Sequence, residues 1–238
     1  MVVLHARYSE ACRASSLFLV MLMRPTLIIF DFDGTLGDTR NNIVVTLQRT
    51  MQQRGLELRD EAACAATIGL TLEDSFMSMY PAMSREEARD CVSLYRDIFY
   101  QSIDELTPDL FVGVRETLAA LHAMDIKMSI ASSRSSPSLL LFLKRMGIAQ
   151  YFSYVLGSDN VTKHKPEPEP VLKTLRELGI TPEQALVVGD MPMDIAMARN
   201  ASVRSVGVSY GNATAAELHA AGADYVISEI GALLDIVG

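Results

Sequence analysis

The stretch Leu27-Ile28-Ile29-Phe30-Asp31-Phe32-Asp33-Gly34-Thr35 constrains this chain more than any other. A short apolar run with paired β-branched residues, closed by turn residues, predicts a strand buried on both faces of a parallel sheet. In such sheets ligands gather outside the carboxyl ends of the strands. Asp31 and Asp33 stand at that end, and strand alternation leans their side chains the same way. Two carboxylates held side by side repel, so the pair calls for positive charge nearby. A divalent cation such as Mg²⁺, which takes a few carboxylate oxygens together with water and phosphate, suits that place. The plainer reading is a strand ending in a polar turn, where Asp and Gly are favoured anyway.

Behind this strand the periodicity turns helical. Thr39 is placed to cap a helix over Arg40–Arg54, with Gly55 as its stop. Further helices are expected over Arg59–Thr67 and Leu72–Tyr80, and from the capping box Ser84-Arg85-Glu86-Glu87 to about Leu106. From Val114 onward, short apolar strands alternate with helices, the first two strands being Lys127–Ala131 and Tyr154–Leu156. That rhythm predicts an α/β fold, a doubly wound parallel sheet covered on both faces, with an α-helical subdomain inserted after its first strand. The expected division is an N-terminal extension over residues 1–23, a core made of 24–38 and 108–238, and the helical insert over 39–107. The hinges fall at Gly34–Asp38 and Thr107–Gly113.

Composition narrows the partners. With 49% hydrophobic and 21% charged residues the chain is of globular type, and its net charge of -8 argues against a nucleic-acid partner. Cys12, Cys64 and Cys91 form neither a metal pair nor a disulfide framework, which fits a reducing, cytoplasmic setting. The apolar run before Arg24-Pro25 is too short to span a bilayer and lacks a small-residue cleavage site. Residues 1–23 are therefore read as a dispensable extension, with Met21 or Met23 as an alternative start, and no membrane partner is expected. Acidic cores of this kind occur as monomers and homodimers, and the sequence leaves both open.

Three further segments that follow strands carry polar residues: Ser132-Ser133-Arg134, Lys165-Pro166, and Gly189-Asp190-Met191-Pro192-Met193-Asp194. Each has a plainer reading, as helix-capping serines, a basic loop before a proline-started helix, and a Gly-Asp turn. In this order, and behind Asp31-x-Asp33-Gly34-Thr35, they resemble the haloacid dehalogenase superfamily from about residue 26 to 238. The resemblance implies a Rossmann-like core, a helical cap and a Mg²⁺-dependent phosphatase acting on a small phosphorylated metabolite. It casts Asp31 as nucleophile and Asp33 as the acid and base. Ser132, Ser133 and Lys165 become phosphate ligands, Asp31, Asp33 and Asp190 metal ligands, and Asp194 an orienter of metal-bound water. The chemistry agrees: a carboxylate can attack phosphorus and split a hard hydrolysis into two easier steps. Cations and hydroxyls then stabilise charge on the transferring group.

Within that superfamily, dehalogenases lack the second aspartate and phosphonate-cleaving members replace it, so Asp33 points to phosphate esters. Sugar phosphomutases of the β-phosphoglucomutase type are the alternative. They carry a histidine in the first cap helix, where this chain has Asn41-Asn42-Ile43, and an arginine in the second cap loop, where it has Leu72. The closer resemblance is to phosphoglycolate phosphatase-like hydrolases. A catalytically silent binding protein on the same scaffold is a third reading, opposed by the intact set Asp31, Asp33, Lys165 and Asp190. The loop Gly69–Asp74 is expected to face the substrate, with Gly69 and Leu72 as its candidate substrate residues. Arg40 and Arg134 are candidate readers of a substrate carboxylate or phosphate, against the plainer reading of solvated surface arginines. The four histidines, His5, His122, His164 and His219, have no ligand spacing and receive no role.

Overall fold

Strand β1 (Leu27–Phe30) forms the middle of a six-stranded parallel sheet. The structure, a computed structural model, describes residues 24–238. The extension over 1–23, with its alternative starts and Cys12, lies outside the described residues. The other strands are β2 (Lys127–Ala131), β3 (Phe152–Leu156), β4 (Ala185–Gly189), β5 (Arg204–Val208) and β6 (Tyr225–Ile227), in spatial order β3-β2-β1-β4-β5-β6. Every pair is parallel, and β1 lies in register between β2 and β4, with Ile28 beside Met128 and Leu186. The chain turns from one half of the sheet to the other between β1 and β4, and the crevice at such a reversal is where doubly wound folds bind ligands. Alternation along β1 is visible in the packing. Ile28 and Phe30 join the large core, whereas Leu27 and Ile29 join a second cluster on the opposite face. Burial on both sides is why this strand reads as an unbroken apolar run.

Between β1 and β2 stand α1 (Arg40–Arg54), α2 (Glu61–Ala65), α3 (Leu72–Met79), α4 (Arg85–Gln101) and α5 (Val114–Ala123). The first four lie in the stretch read from the sequence as a helical insert. The remaining helices are α6 (Ser136–Arg145), α7 (Glu169–Leu178), α8 (Pro192–Asn200), α9 (Ala215–Ala220) and α10 (Leu233–Val237). The two segments joining insert to sheet run against each other. The Asp38 N–H donates to the Asp109 carbonyl at 2.9 Å, and the Phe111 N–H to the Leu36 carbonyl at 3.1 Å.

The ends of the insert's helices differ from expectation in three places. Thr39 precedes α1 but makes no capping bond, because its backbone is already helical and its hydroxyl cannot turn back onto the first N–H groups. Helix α2 is shorter than expected: Asp60 caps its start, and the Thr67 hydroxyl takes the Cys64 carbonyl at its end. Helix α4 has the capping box at Ser84 and Glu87 but stops at Gln101. The Leu106 carbonyl, read as its end, is taken instead by the Asn42 side chain at 2.5 Å.

Candidate active site

The strand ends place the acidic residues. The Asp31 N–H donates to the Val188 carbonyl at 2.8 Å, so the β1–β4 ladder continues one residue past β1 and fixes the Asp31 backbone beside the end of β4. Gly34 then turns the chain with φ +83°, a conformation that favours glycine. A side chain there would collide with the Asp190 carboxylate and the Asn212 amide. The first loop and the loop after β4 are thus packed against each other with no space for a methyl group.

Three buried carboxylates, Asp31, Asp190 and Asp194, come together with oxygens within 4.8 Å of one another. The Lys165 ammonium reaches into this group, 2.7 Å from Asp31 Oδ1 and 2.6 Å from Asp194 Oδ1, with only 3% of its side chain exposed. Burial alone would lower the Lys165 ammonium; the two carboxylates overturn this and hold it above its ordinary value. Burial, with Asp194 and Asp190 adding to it, raises Asp31 well above the usual carboxylate range despite Lys165. Asp190 is pushed up to about 6, first by burial and then by Asp194, against the pull of Asn212 and Lys165.

The remaining polar bonds set orientation. Asp190 Oδ2 accepts from the backbone N–H and the side-chain amide of Asn212, both at 2.8 Å, and Asp190 Oδ1 accepts from the Thr35 hydroxyl at 3.2 Å. Tyr210 donates its hydroxyl to the Thr35 carbonyl at 2.7 Å, tying the loop after β5 to the first loop. Asp194 Oδ2 accepts the Met191 N–H at 3.0 Å, so one of its oxygens serves the turn and the other serves Lys165.

If all three acids ionise, one ammonium leaves two negative charges unmatched in a buried space, which is why Asp31 and Asp190 hold their protons more tightly than usual. Hard oxygen donors in that number fit a divalent cation. Asp31, Asp190 and Asp194 are the side chains that could hold it.

Above this cluster lies a cavity of about 260 Å³ between the sheet and the helical insert. Asp31, Asp33, Ser132 and Ser133 line it from the core, and Gly69 and Leu72 from the insert. Ser132 is buried, and its hydroxyl oxygen accepts the Arg134 N–H at 3.2 Å. Ser133 does not turn toward the acids; its hydroxyl donates to the Gly69 carbonyl at 2.5 Å and joins core to insert. Asp33 is held by Arg134 through Nη2 at 2.8 Å and Nε at 3.2 Å, both side chains being nearly enclosed. The Arg134 guanidinium also lies over the Phe142 and Phe99 rings, at 4.9 and 5.6 Å. It is therefore no surface arginine. Arg40 is one: it is exposed, pairs with Glu61 at 3.6 Å and does not line the cavity, so the structure withdraws it as a substrate residue. Leu72 stands in the cavity wall where the mutase pattern would have an arginine.

Sequence reading passed over Asn212, Thr35 as a ligand of Asp190, and Arg96 in the cavity wall. Asn212 had a signal, since it follows β5 and so lies on the same rim as the other loops. His164, given no role, also lines the cavity.

The chain is similar to known proteins in sequence and in fold. A family model described as haloacid dehalogenase-like hydrolase matches residues 28–208. The chain is 32% identical over 205 residues to a phosphoglycolate phosphatase of Salmonella paratyphi A, covering 77% of this chain and 81% of that protein. It is 31% identical over 217 residues to pyrophosphatase PpaX of Bacillus velezensis, covering 90% and 97%. In fold it is similar to a β-phosphoglucomutase from Clostridium difficile, with TM-score 0.76 at 22% identity, covering 88% and 93%. The chain belongs to the haloacid dehalogenase-like hydrolase family, among its phosphatases.

Proposed function

We propose that this protein is a Mg²⁺-dependent phosphatase that hydrolyses a small phosphorylated metabolite through an aspartyl-phosphate on Asp31. The observation that carries the reading is the buried cluster of Asp31, Asp190 and Asp194 around Lys165, opening at Asp31 into a cavity the size of a small ester. Asp31 is the nucleophile: of the three clustered acids it alone lines the cavity. Its carboxylate attacks phosphorus in line while the leaving oxygen departs. Lys165 offsets the charge of Asp31 and of the phosphoryl group, and Ser132 donates to a phosphoryl oxygen. Asp33 protonates the leaving oxygen, and in the second half it takes a proton from the attacking water. A protonated Asp33 oxygen is a weaker acceptor and no longer a charged one, so protonation loosens the Arg134 clamp. Asp31, Asp190 and the Asp33 carbonyl would hold the cation, with Asp194 steadying Lys165 and the turn beside it. When bound, the cation supplies neutralisation of charge shared between Asp31 and the phosphoryl group.

The helical insert over 39–107 acts as a cap: its loop at Gly69–Leu72 closes the cavity and chooses the leaving group. The mutase reading lacks support at Leu72, which offers no charge to a sugar phosphate. A catalytically silent binding protein would have no need of a nucleophile, an acid and a lysine meeting at one cavity. The test is phosphate release from a panel of phosphorylated metabolites, including 2-phosphoglycolate and hexose phosphates, with Mg²⁺ and with excess chelator. Release that requires Mg²⁺ is expected. Equal release in chelator, or isomerisation of β-glucose 1-phosphate without release, would overturn the reading. No single cellular compartment is required by this chemistry. Among the described residues no helix is long and apolar enough to cross a membrane.

A further inference from the structure

The helical insert carries seven arginines and no lysine between residues 39 and 107. Six of them have a carboxylate partner: Arg40 with Glu61, Arg49 with Glu105, Arg54 with Asp90, Arg59 with Glu57, and both Arg85 and Arg89 with Glu73. Arg96 has none among the described residues, and it lines the cavity. It sits on α4 with Val92, Phe99 and Tyr100 at positions i−4, i+3 and i+4, all in the same cavity wall. The carboxylates that line the cavity already have donors. Lys165 serves Asp31, Arg134 serves Asp33, Arg85 and Arg89 serve Glu73, and the Ser136 N–H serves Asp159. Arg134, the other arginine in the wall, is taken up by Asp33.

We infer that Arg96 reads a second negative charge on the substrate, so that the preferred substrate is a small phosphate ester or anhydride whose leaving group is itself anionic. This rests on the phosphatase reading above. The cavity has two ends of different character. At the Asp31 end the cluster takes the phosphoryl group; on the insert side one uncommitted guanidinium faces the rest of the molecule. A guanidinium offers planar, paired donors that match a carboxylate or a phosphate equally well. Arg96 is exposed at the mouth of the cavity, and the buried rings of Tyr95 and Phe99 beside it narrow the space, so that a bound substrate would cover the guanidinium and strengthen a charge-assisted bond to it. A neutral leaving group would leave Arg96 to water and gain nothing from it.

Steady-state kinetics with Mg²⁺ on three substrates test this: 2-phosphoglycolate, pyrophosphate, and 2-hydroxyethyl phosphate, which keeps the phosphoglycolate skeleton without its carboxylate. The expected result is a kcat/KM for one or both anionic substrates about 10- to 100-fold above the neutral one. The same ratio should collapse toward one in Arg96→Met, mostly through KM, and recover in part in Arg96→Lys. Which anionic substrate leads tells a carboxylate reader from a phosphate reader. A wild-type ratio near one, or a ratio unmoved in Arg96→Met, overturns the role of Arg96 while phosphate release upholds the phosphatase reading. No release from any of the three overturns the role of Arg96, and only no release from the whole panel of phosphorylated metabolites overturns the phosphatase reading.

Discussion

Arg134 and Asp33 are 101 residues apart in the chain and form a nearly enclosed ion pair, with the guanidinium carbon 4.9 Å from the Phe142 ring centre and 5.6 Å from that of Phe99. The pair and the rings it touches link four elements: the loop after β1, the loop after β2, helix α4 and helix α6. Removing one partner of such a pair strands the other charge, which costs more than the pair itself contributes. Arg134→Met is expected to destabilise the fold by about 3 kcal/mol. Arg134→Met with Asp33→Asn should cost clearly less than the two single changes added together. Denaturant midpoints at unchanged slope measure this, and additive losses would show that the two side chains are energetically independent.

Asp31 is predicted to be the group that carries the phosphoryl intermediate. Asp31→Asn keeps the shape of the side chain and removes a charge that Asp190 and Asp194 oppose, so folding should survive. Lys165 retains Asp194 as a partner at 2.6 Å. Phosphate release should fall by roughly four orders of magnitude or more, as for other enzymes stripped of their nucleophile. Acid-quenched protein should show covalent phosphate in the wild type and none in the variant. A variant with near-normal turnover would remove the covalent mechanism.

The sheet and the four loops of the site were legible because their signals are local. An apolar run such as Leu27–Phe30 buried on both faces, followed by Gly34, defines a strand end without any knowledge of its neighbours. Parallel strands then bring all such ends to one rim, so Asp31, Lys165 and Asp190 had to meet once the sheet was read correctly. Arg134 was not legible in this way. Its burial depends on Phe99 from the insert and Phe142 from α6, and neither residue announces that it will face an arginine. Helix ends failed for a similar reason. Asn42, distant in sequence, takes the Leu106 carbonyl, and a contact of that kind overrides helical periodicity. Ser133 illustrates the limit within a motif: its neighbour Ser132 faces the site, while its own hydroxyl is claimed by Gly69 across the cavity.

Gly34 tests the packing of the first loop against Asp190. Gly34→Ala demands a positive φ of a residue with a Cβ and drives that Cβ into the Asp190 carboxylate and the Asn212 amide. The backbone conformation alone costs about 1 kcal/mol, and the collision adds to it. The expected outcome is a lowered melting temperature together with a raised Mg²⁺ concentration for half-maximal activity, because Asp190 must move. Asn212→Ala removes a donor to Asp190 without any collision. It should raise the Mg²⁺ requirement with a smaller loss of stability. If Gly34→Ala lost stability but kept the wild-type Mg²⁺ dependence, Asp190 would not be a metal ligand.

The same cluster predicts how stability responds to pH and to metal. Without a cation, Asp190 titrates at about 6 in the folded protein, above its ordinary value of 3.8. An acid raised in this way binds its proton more tightly folded than unfolded. Its contribution is therefore favourable below about 4 and is lost as pH rises to about 6, where the folded protein must also bear the charge. Asp31, raised further by the same neighbours, extends the loss in the same direction. A divalent cation among these oxygens reverses the sign, since it favours the ionised forms. Addition of Mg²⁺ to chelator-treated protein should thus raise the melting temperature more at pH 7.5 than at pH 5, and Asp190→Asn should flatten the difference. Equal stabilisation at both pH values would place the ion away from these carboxylates.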